Sequence, residues 1–191
     1  MKEYIHGGDI YRHPDVLDFS ANINPLGTPP AVVQAAKDSM EWICHYPDAC
    51  QEKLKQALAA YEQVPVEWLI CGNGAAELIF ALVQAVKPKR ALVMAPTFAE
   101  YAQALEAVGC EVDREILKKE DGFTLQRTIL EKLQKEDLQM VFLCNPNNPT
   151  GILINPKLLR EIVTICEKRN IYLVVDECFL DFVSEPEVHT L

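Results

Sequence analysis

The chain is poor in everything that would send it to a membrane, to nucleic acid or into a disulfide-stapled scaffold. No stretch approaches the roughly 20 consecutive apolar residues of a membrane span, and Met1 to Arg12 holds no apolar core of a secretory signal. Basic residues are few beside acidic ones, 18 against 28, for a formal net charge of −10. That balance argues against nucleic acid and against anionic membrane surfaces, although a single pocket can be basic on an acidic protein. The seven cysteines are odd in number and scattered, with Cys71, Cys144 and Cys166 inside apolar runs. This suits reduced thiols better than a disulfide framework. Among the four histidines, His45 beside Cys44 and Cys50 lacks the paired spacing of a zinc site, and His13 and His189 read as surface residues. Internal repeats and low-complexity tracts are missing too. The expectation is a cytoplasmic protein without a metal.

What is present is an ordinary globular composition, 49% hydrophobic and 24% charged over 191 residues, enough to bury a sizeable core. Residues 1–30 are irregular and rich in Gly, Pro, Asn and His, and read as an extended arm. Pro29-Pro30 opens a helix running to about Ile43, and Asp48 can cap another running to about Glu62. From there β and α signals alternate. Strands are expected at Trp68–Cys71, Arg90–Met94, Glu111–Glu115, Gln139–Cys144 and Tyr172–Val175. Helices are expected at Ala75–Val86, Phe98–Val108, Leu125–Gln134 and Pro156–Arg169. Apolar strands alternating with helices imply an α/β fold, a three-layer αβα sandwich around a mostly parallel sheet. The boundary falls near Val66, with an arm-and-helix region at 1–65 and the sheet domain at 66–191.

Two strand ends carry the chemical signal. Met140-Val141-Phe142-Leu143-Cys144 runs into Asn145-Pro146-Asn147-Asn148-Pro149-Thr150-Gly151, and Ile171-Tyr172-Leu173-Val174-Val175 ends at Asp176. With a helix between them, they form a βαβ unit that places an amide and a carboxylate at the ligand-binding edge of the sheet. A carboxylate closing an apolar run is costly to bury unless a cation meets it, so Asp176 asks for a positive partner. Gly72-Asn73-Gly74-Ala75-Ala76-Glu77, between a strand and a helix, offers backbone N–H groups suited to a phosphate, and equally suits a plain tight βα connection.

Together these segments resemble the aminotransferase class I/II family of enzymes that use pyridoxal 5'-phosphate (PLP). The resemblance implies that Asp176 pairs with the protonated pyridine nitrogen and that Asn148 hydrogen-bonds the phenolic oxygen. It implies further that Gly74, Ala75 and Ala76 cradle the phosphate and that Phe98 stacks on the ring, with Tyr101 as the alternative. Tyr46, in His45-Tyr46-Pro47-Asp48, would reach the cofactor phosphate of a neighbouring copy, which implies a homodimer.

Within that family, the arm His6-Gly7-Gly8-Asp9-Ile10-Tyr11 and the run Asn22-Ile23-Asn24-Pro25-Leu26-Gly27 resemble the threonine-phosphate decarboxylases of cobalamin biosynthesis, relatives of the histidinol-phosphate aminotransferases. The substrate is then a small phosphorylated amino acid, with His6, Gly7, Gly8 and Asn24 as its expected contacts. Phe179 stands where many aminotransferases have a tyrosine that donates to the phenolic oxygen, a departure in the same direction. The family's covalent lysine is expected beyond Leu191, because Lys118, Lys119, Lys157 and Lys168 are not placed to substitute for it. On that expectation the chain by itself does not turn over. A noncatalytic α/β binding or dimerisation module is the alternative reading.

Overall fold

The computed structural model describes residues 7–191, in two compact units that divide between Ile70 and Cys71. In the first unit, α1 (Pro30–Ser39) starts on Pro29-Pro30, where a missing N–H costs nothing. The second helix, α2 (Glu52–Glu62), is entered through Asp48, whose carboxylate accepts the N–H groups of Cys50 at 2.9 Å and Glu52 at 3.0 Å. Those two bonds hold the Asp48 carboxyl below the ordinary carboxylate range. Their support for the helix is therefore present above the unfolded-state pKa and is lost as pH falls through the folded one. No residue of α1 or α2 is buried, and Trp42, Tyr46, Tyr61 and Trp68 are all largely exposed.

The second unit is built on a sheet of four parallel strands, β1 (Arg90–Ala95), β2 (Glu111–Ile116), β3 (Met140–Cys144) and β4 (Tyr172–Asp176), in the order β2-β1-β3-β4. Helix α3 (Gly74–Val86) precedes β1, α4 (Ala99–Ala107) joins β1 to β2, the short α5 (Ile129–Lys132) lies between β2 and β3, and α6 (Pro156–Arg169) joins β3 to β4. Every residue of β3 is buried, as a strand with neighbours on both sides and helices above and below should be. Around it pack Ile79 and Val83 of α3, Tyr101, Ala104 and Leu105 of α4, and Leu158, Leu159, Ile162 and Cys166 of α6. The start of α6 is fixed by Asn155, whose side chain accepts the N–H groups of Lys157 and Leu158, with Pro156 at the first helical position.

Two expected elements differ. The Trp68–Cys71 strand does not form: Val66–Trp68 is a 3-10 turn, and the extended residue after it has no pairing partner among the described residues. A strand exists only through its ladder, so apolar sequence alone is insufficient. The Leu125–Gln134 helix shrinks to α5. There Thr128 donates its hydroxyl to Glu115 at 3.1 Å and Lys132 pairs with the same buried carboxylate at 2.7 Å, so tertiary bonds at the end of β2 hold the segment in single turns.

The strand order fixes where a ligand can enter. The chain leaves β1 toward β2 on one side, while β3 lies on the other side and leads outward to β4. Right-handed crossovers in opposite directions put α4 and α6 on opposite faces, and the crevice opens outside the carboxyl ends of β1 and β3. The fully buried Ile162 measures how tightly one of those helices is held. Ile162→Ala should cost about 2–5 kcal/mol, read from the midpoint of urea denaturation with unchanged slope.

Candidate functional site

Three chain segments leave the sheet at this crevice: Pro96-Thr97-Phe98 after β1, Asn145 to Gly151 after β3, and the residues following Asp176. Register places Cys144 beside Asp176, and the Asn145 N–H donates to the Asp176 carbonyl at 2.8 Å. Two of the three asparagines in the turn are staples. Asn145 is fully buried, donating to the His189 carbonyl and accepting the Ile154 N–H, both at 2.9 Å. Asn147, also buried, donates to the Pro96 carbonyl at 3.1 Å and to the Thr150 hydroxyl at 2.9 Å, and accepts the Thr97 hydroxyl at 2.8 Å. It thereby ties the loop after β1 to the loop after β3. Asn148 is different. It is half-buried, its backbone N–H meets the Cys144 sulfur at 3.4 Å, and its side-chain amide has no partner among the described residues.

The Asp176 carboxylate accepts the Tyr101 hydroxyl on Oδ2 at 2.7 Å and the Cys178 N–H on Oδ1 at 3.0 Å. Both donors are neutral. No lysine, arginine or histidine among the described residues pairs with it, although Arg90 and Arg127 each hold acids elsewhere. Tyr101 is completely buried, stacked on Phe142 at 5.0 Å and 15°, with Phe98 edge-on at 5.6 Å and 72°. Burial, then the neighbouring Cys144 and the bond to Asp176, push its hydroxyl far above the ordinary phenol range, so it remains a proton donor. Burial likewise pushes the Cys144 thiol up. Tyr101 is therefore not an alternative stacking face for a ligand: its ring belongs to the core. Phe98 is half-buried, at the N-cap of α4.

The start of α3 presents backbone N–H groups without acceptors among the described residues. Gly74 has φ +81°, with nothing within 4 Å of where a Cβ would stand. A Cβ on Gly72 would lie 2.9 Å from the side-chain ends of Glu77 and Leu78, which would have to shift to admit it. Glu77 folds back to accept the N–H and the side-chain amide of Asn73, closing the turn. The N–H groups of Ala75 and Ala76 meet no acceptor among the described residues, and the helix dipole adds to their attraction for an anion. The far end of α3, Ala85 to Lys87, lines one hollow with Gln139 and Tyr172 at the amino ends of β3 and β4. Helix α3 therefore ends at the amino edge of the sheet, where β1 begins at Arg90.

The remaining expected residues belong to the first unit. Tyr46 is fully exposed. The Gly8 N–H donates to the Ser20 hydroxyl at 2.8 Å, and a Cβ on Gly7 would fall 1.9 Å from the Ser20 carbonyl oxygen. Asn24 accepts the Leu26 N–H at 2.9 Å, and its amide N–H groups have no acceptor among the described residues. His6 lies outside the described residues. Sequence reasoning missed the grip of Tyr101 on Asp176. The available signal was its spacing: three residues after Phe98 on a helix, it shares the face turned toward the crevice.

The family model for aminotransferase class I and II matches residues 14–191. The threonine-phosphate decarboxylase of Salmonella typhimurium is 47% identical over 186 residues, 93% of this chain and 51% of that protein. A histidinol-phosphate aminotransferase of Desulfitobacterium hafniense is 35% identical over 181 residues, 92% of this chain and 49% of that one. The crystal structure of the histidinol-phosphate aminotransferase from Clostridium acetobutylicum superposes with a TM-score of 0.78 at 27% identity, covering 91% of this chain and 50% of its own. The chain thus spans about half the length of the relatives it matches. The division of labour among the asparagines predicts a contrast: Asn147→Ala should lower stability by about 2–4 kcal/mol by orphaning several buried groups, and Asn148→Ala should change it by less than about 0.5 kcal/mol, both measured by urea unfolding.

Proposed function

The chain belongs to the aminotransferase class I and II family, and from that premise we propose that it carries the cofactor-binding residues of a PLP-dependent decarboxylase converting L-threonine O-3-phosphate to (R)-1-aminopropan-2-ol O-2-phosphate. The observation that carries the reading is Asp176: a carboxylate at the sheet's switch point, held by two neutral donors and facing no cation among the described residues. A protonated pyridine nitrogen answers that need. The other groups fit as well, since the Asn148 amide is free for a phenolic oxygen, and the open space at Gly74 with the free N–H groups of Ala75 and Ala76 suits a phosphate.

In this proposal Asp176 accepts the ring N–H, Asn148 donates to the phenolic oxygen, Phe98 covers a ring face, and Gly74, Ala75 and Ala76 hold the phosphate. Tyr46 serves the phosphate of a second copy, which makes the working unit a homodimer. When bound, PLP supplies an electron sink for the pair left by a bond broken at the substrate's Cα. The chain's part in the choice of bond is orientation. His6, Gly7, Gly8 and Asn24 anchor the substrate's anionic groups, and the bond they hold perpendicular to the ring is the one that breaks. Phe179, without a donor, leaves Asn148 as the chain's own contact to the phenolic oxygen.

A histidinol-phosphate-type aminotransferase is the second reading, supported by the 35% identical relative and by the structural likeness. The higher identity to the Salmonella decarboxylase favours the first. The test has two parts. The chain should bind PLP, seen as an absorbance shift, and Asp176→Asn should weaken that binding by at least about tenfold, the worth of a charge-assisted bond. In a polypeptide of the relatives' full length with this chain as its N-terminal half, threonine phosphate should release CO₂ with no amino-group transfer. Transfer of the amino group to a keto acid, from threonine phosphate or histidinol phosphate, would assign the protein to the aminotransferases instead.

A further inference from the structure

We infer that Tyr101 is the positioning residue for the cofactor's ring nitrogen: its buried hydroxyl aims the Asp176 carboxylate, and its ring is locked so that the aim does not drift. The inference rests on the PLP reading above and assigns a role within it. A carboxylate on a short side chain can rotate about its terminal bond, and a ring nitrogen is met well only in one narrow range of that rotation. Two donors remove the freedom here, one on each oxygen: the Tyr101 hydroxyl at 2.7 Å from Oδ2 and the Cys178 N–H at 3.0 Å from Oδ1. Each oxygen keeps a lone pair for a further donor.

The hydroxyl is itself held. The Tyr101 ring lies flat on Phe142 in the fully buried strand β3 and against the edge of Phe98. In the same buried strand the Cys144 thiol donates to the Pro146 carbonyl at 3.3 Å and meets the Asn148 backbone N–H at 3.4 Å. Asp176, assigned to one edge of the planar cofactor ring, is thus bonded to a hydroxyl whose own phenol rests on Phe142 of β3. Phe98, assigned to that ring's face, touches the same tyrosine. The fully buried Tyr101 thus reaches the site through its bond to Asp176 and its contact with Phe98.

Tyr101→Phe removes only that oxygen and leaves the aromatic packing filled, so its urea midpoint should stay near that of the unaltered chain. The discriminating probes are PLP and its analogue in which C–H replaces the ring nitrogen, titrated noncovalently and followed by absorbance. The unaltered chain should bind PLP more tightly than the analogue, by about tenfold. Asp176→Asn should erase that preference. Tyr101→Phe should narrow it by about threefold to tenfold, with affinity for the analogue unchanged. An equal loss for both probes, or no loss for either, makes Tyr101 a packing residue and overturns the inference while leaving the PLP reading intact. An unaltered chain that binds PLP and the analogue equally overturns the role of Asp176, and both readings fall together.

Discussion

The site turns on a carboxylate that no cation among the described residues meets. Asp176 ends an apolar strand and is half-buried, yet the nearest help it receives is a phenol and a backbone N–H. Elsewhere the same chain pairs its acids freely. Arg90 alone meets Glu111, Asp113 and Asp137, and Lys132 covers the buried Glu115. A carboxylate that meets no cation among the described residues, in a chain that pairs its acids elsewhere, is what the proposed cofactor nitrogen would answer. The surrounding architecture follows from holding that group in place: a doubly wound sheet to bring it beside the Asn-rich turn, a buried tyrosine to hold it, and loops tied to one another by asparagine side chains.

Those ties explain why a turn crowded with prolines and asparagines is rigid enough to be a site. Asn145 and Asn147 replace the hydrogen bonds that irregular backbone would otherwise lack in the interior. Asn147 does so across two different loops, tying the segments after β1 and β3 together. Three residues of one type in a single turn divide into two structural staples and one free amide, a distinction made by burial and by nothing in the residues themselves. At the α3 start, Glu77 plays a comparable part by closing the turn on Asn73, which leaves the following N–H groups pointing outward.

The two units differ sharply in how their apolar residues are used. In the sheet unit, strand β3 is buried at every position. In the first unit the helices bury no residue, and Tyr46, in the turn between them, is entirely exposed. The sheet unit carries its own hydrophobic core, and the helices of the first do not, which is the physical setting for a Tyr46 proposed to act on a second copy.

Much of this was legible in the chain's own pattern. The alternation of apolar strands with amphipathic helices specified α3, α4, α6 and all four paired strands, because side-chain periodicity is a local property that solvent reads one residue at a time. The abrupt end of an apolar run at Asp176 and the glycines at 72 and 74 were legible for the same reason: each is a local conflict or a local permission. Where the outcome depended on partners distant in sequence, pattern failed. Trp68–Cys71 has strand-like residues but no described neighbour to pair with, and the segment around α5 yields its helical turns to Glu115. Whether Tyr101 would face a ligand or the core, and which of three asparagines would stay free, depended on Asp176 and Phe142 and on the loop after β1, all brought close only when the sheet closed. Sequence set the elements and the chemical inventory, because propensity and amphipathicity act within a few residues. Tertiary structure alone decided which polar groups were satisfied, because that is a count of partners, and partners are assembled by the fold.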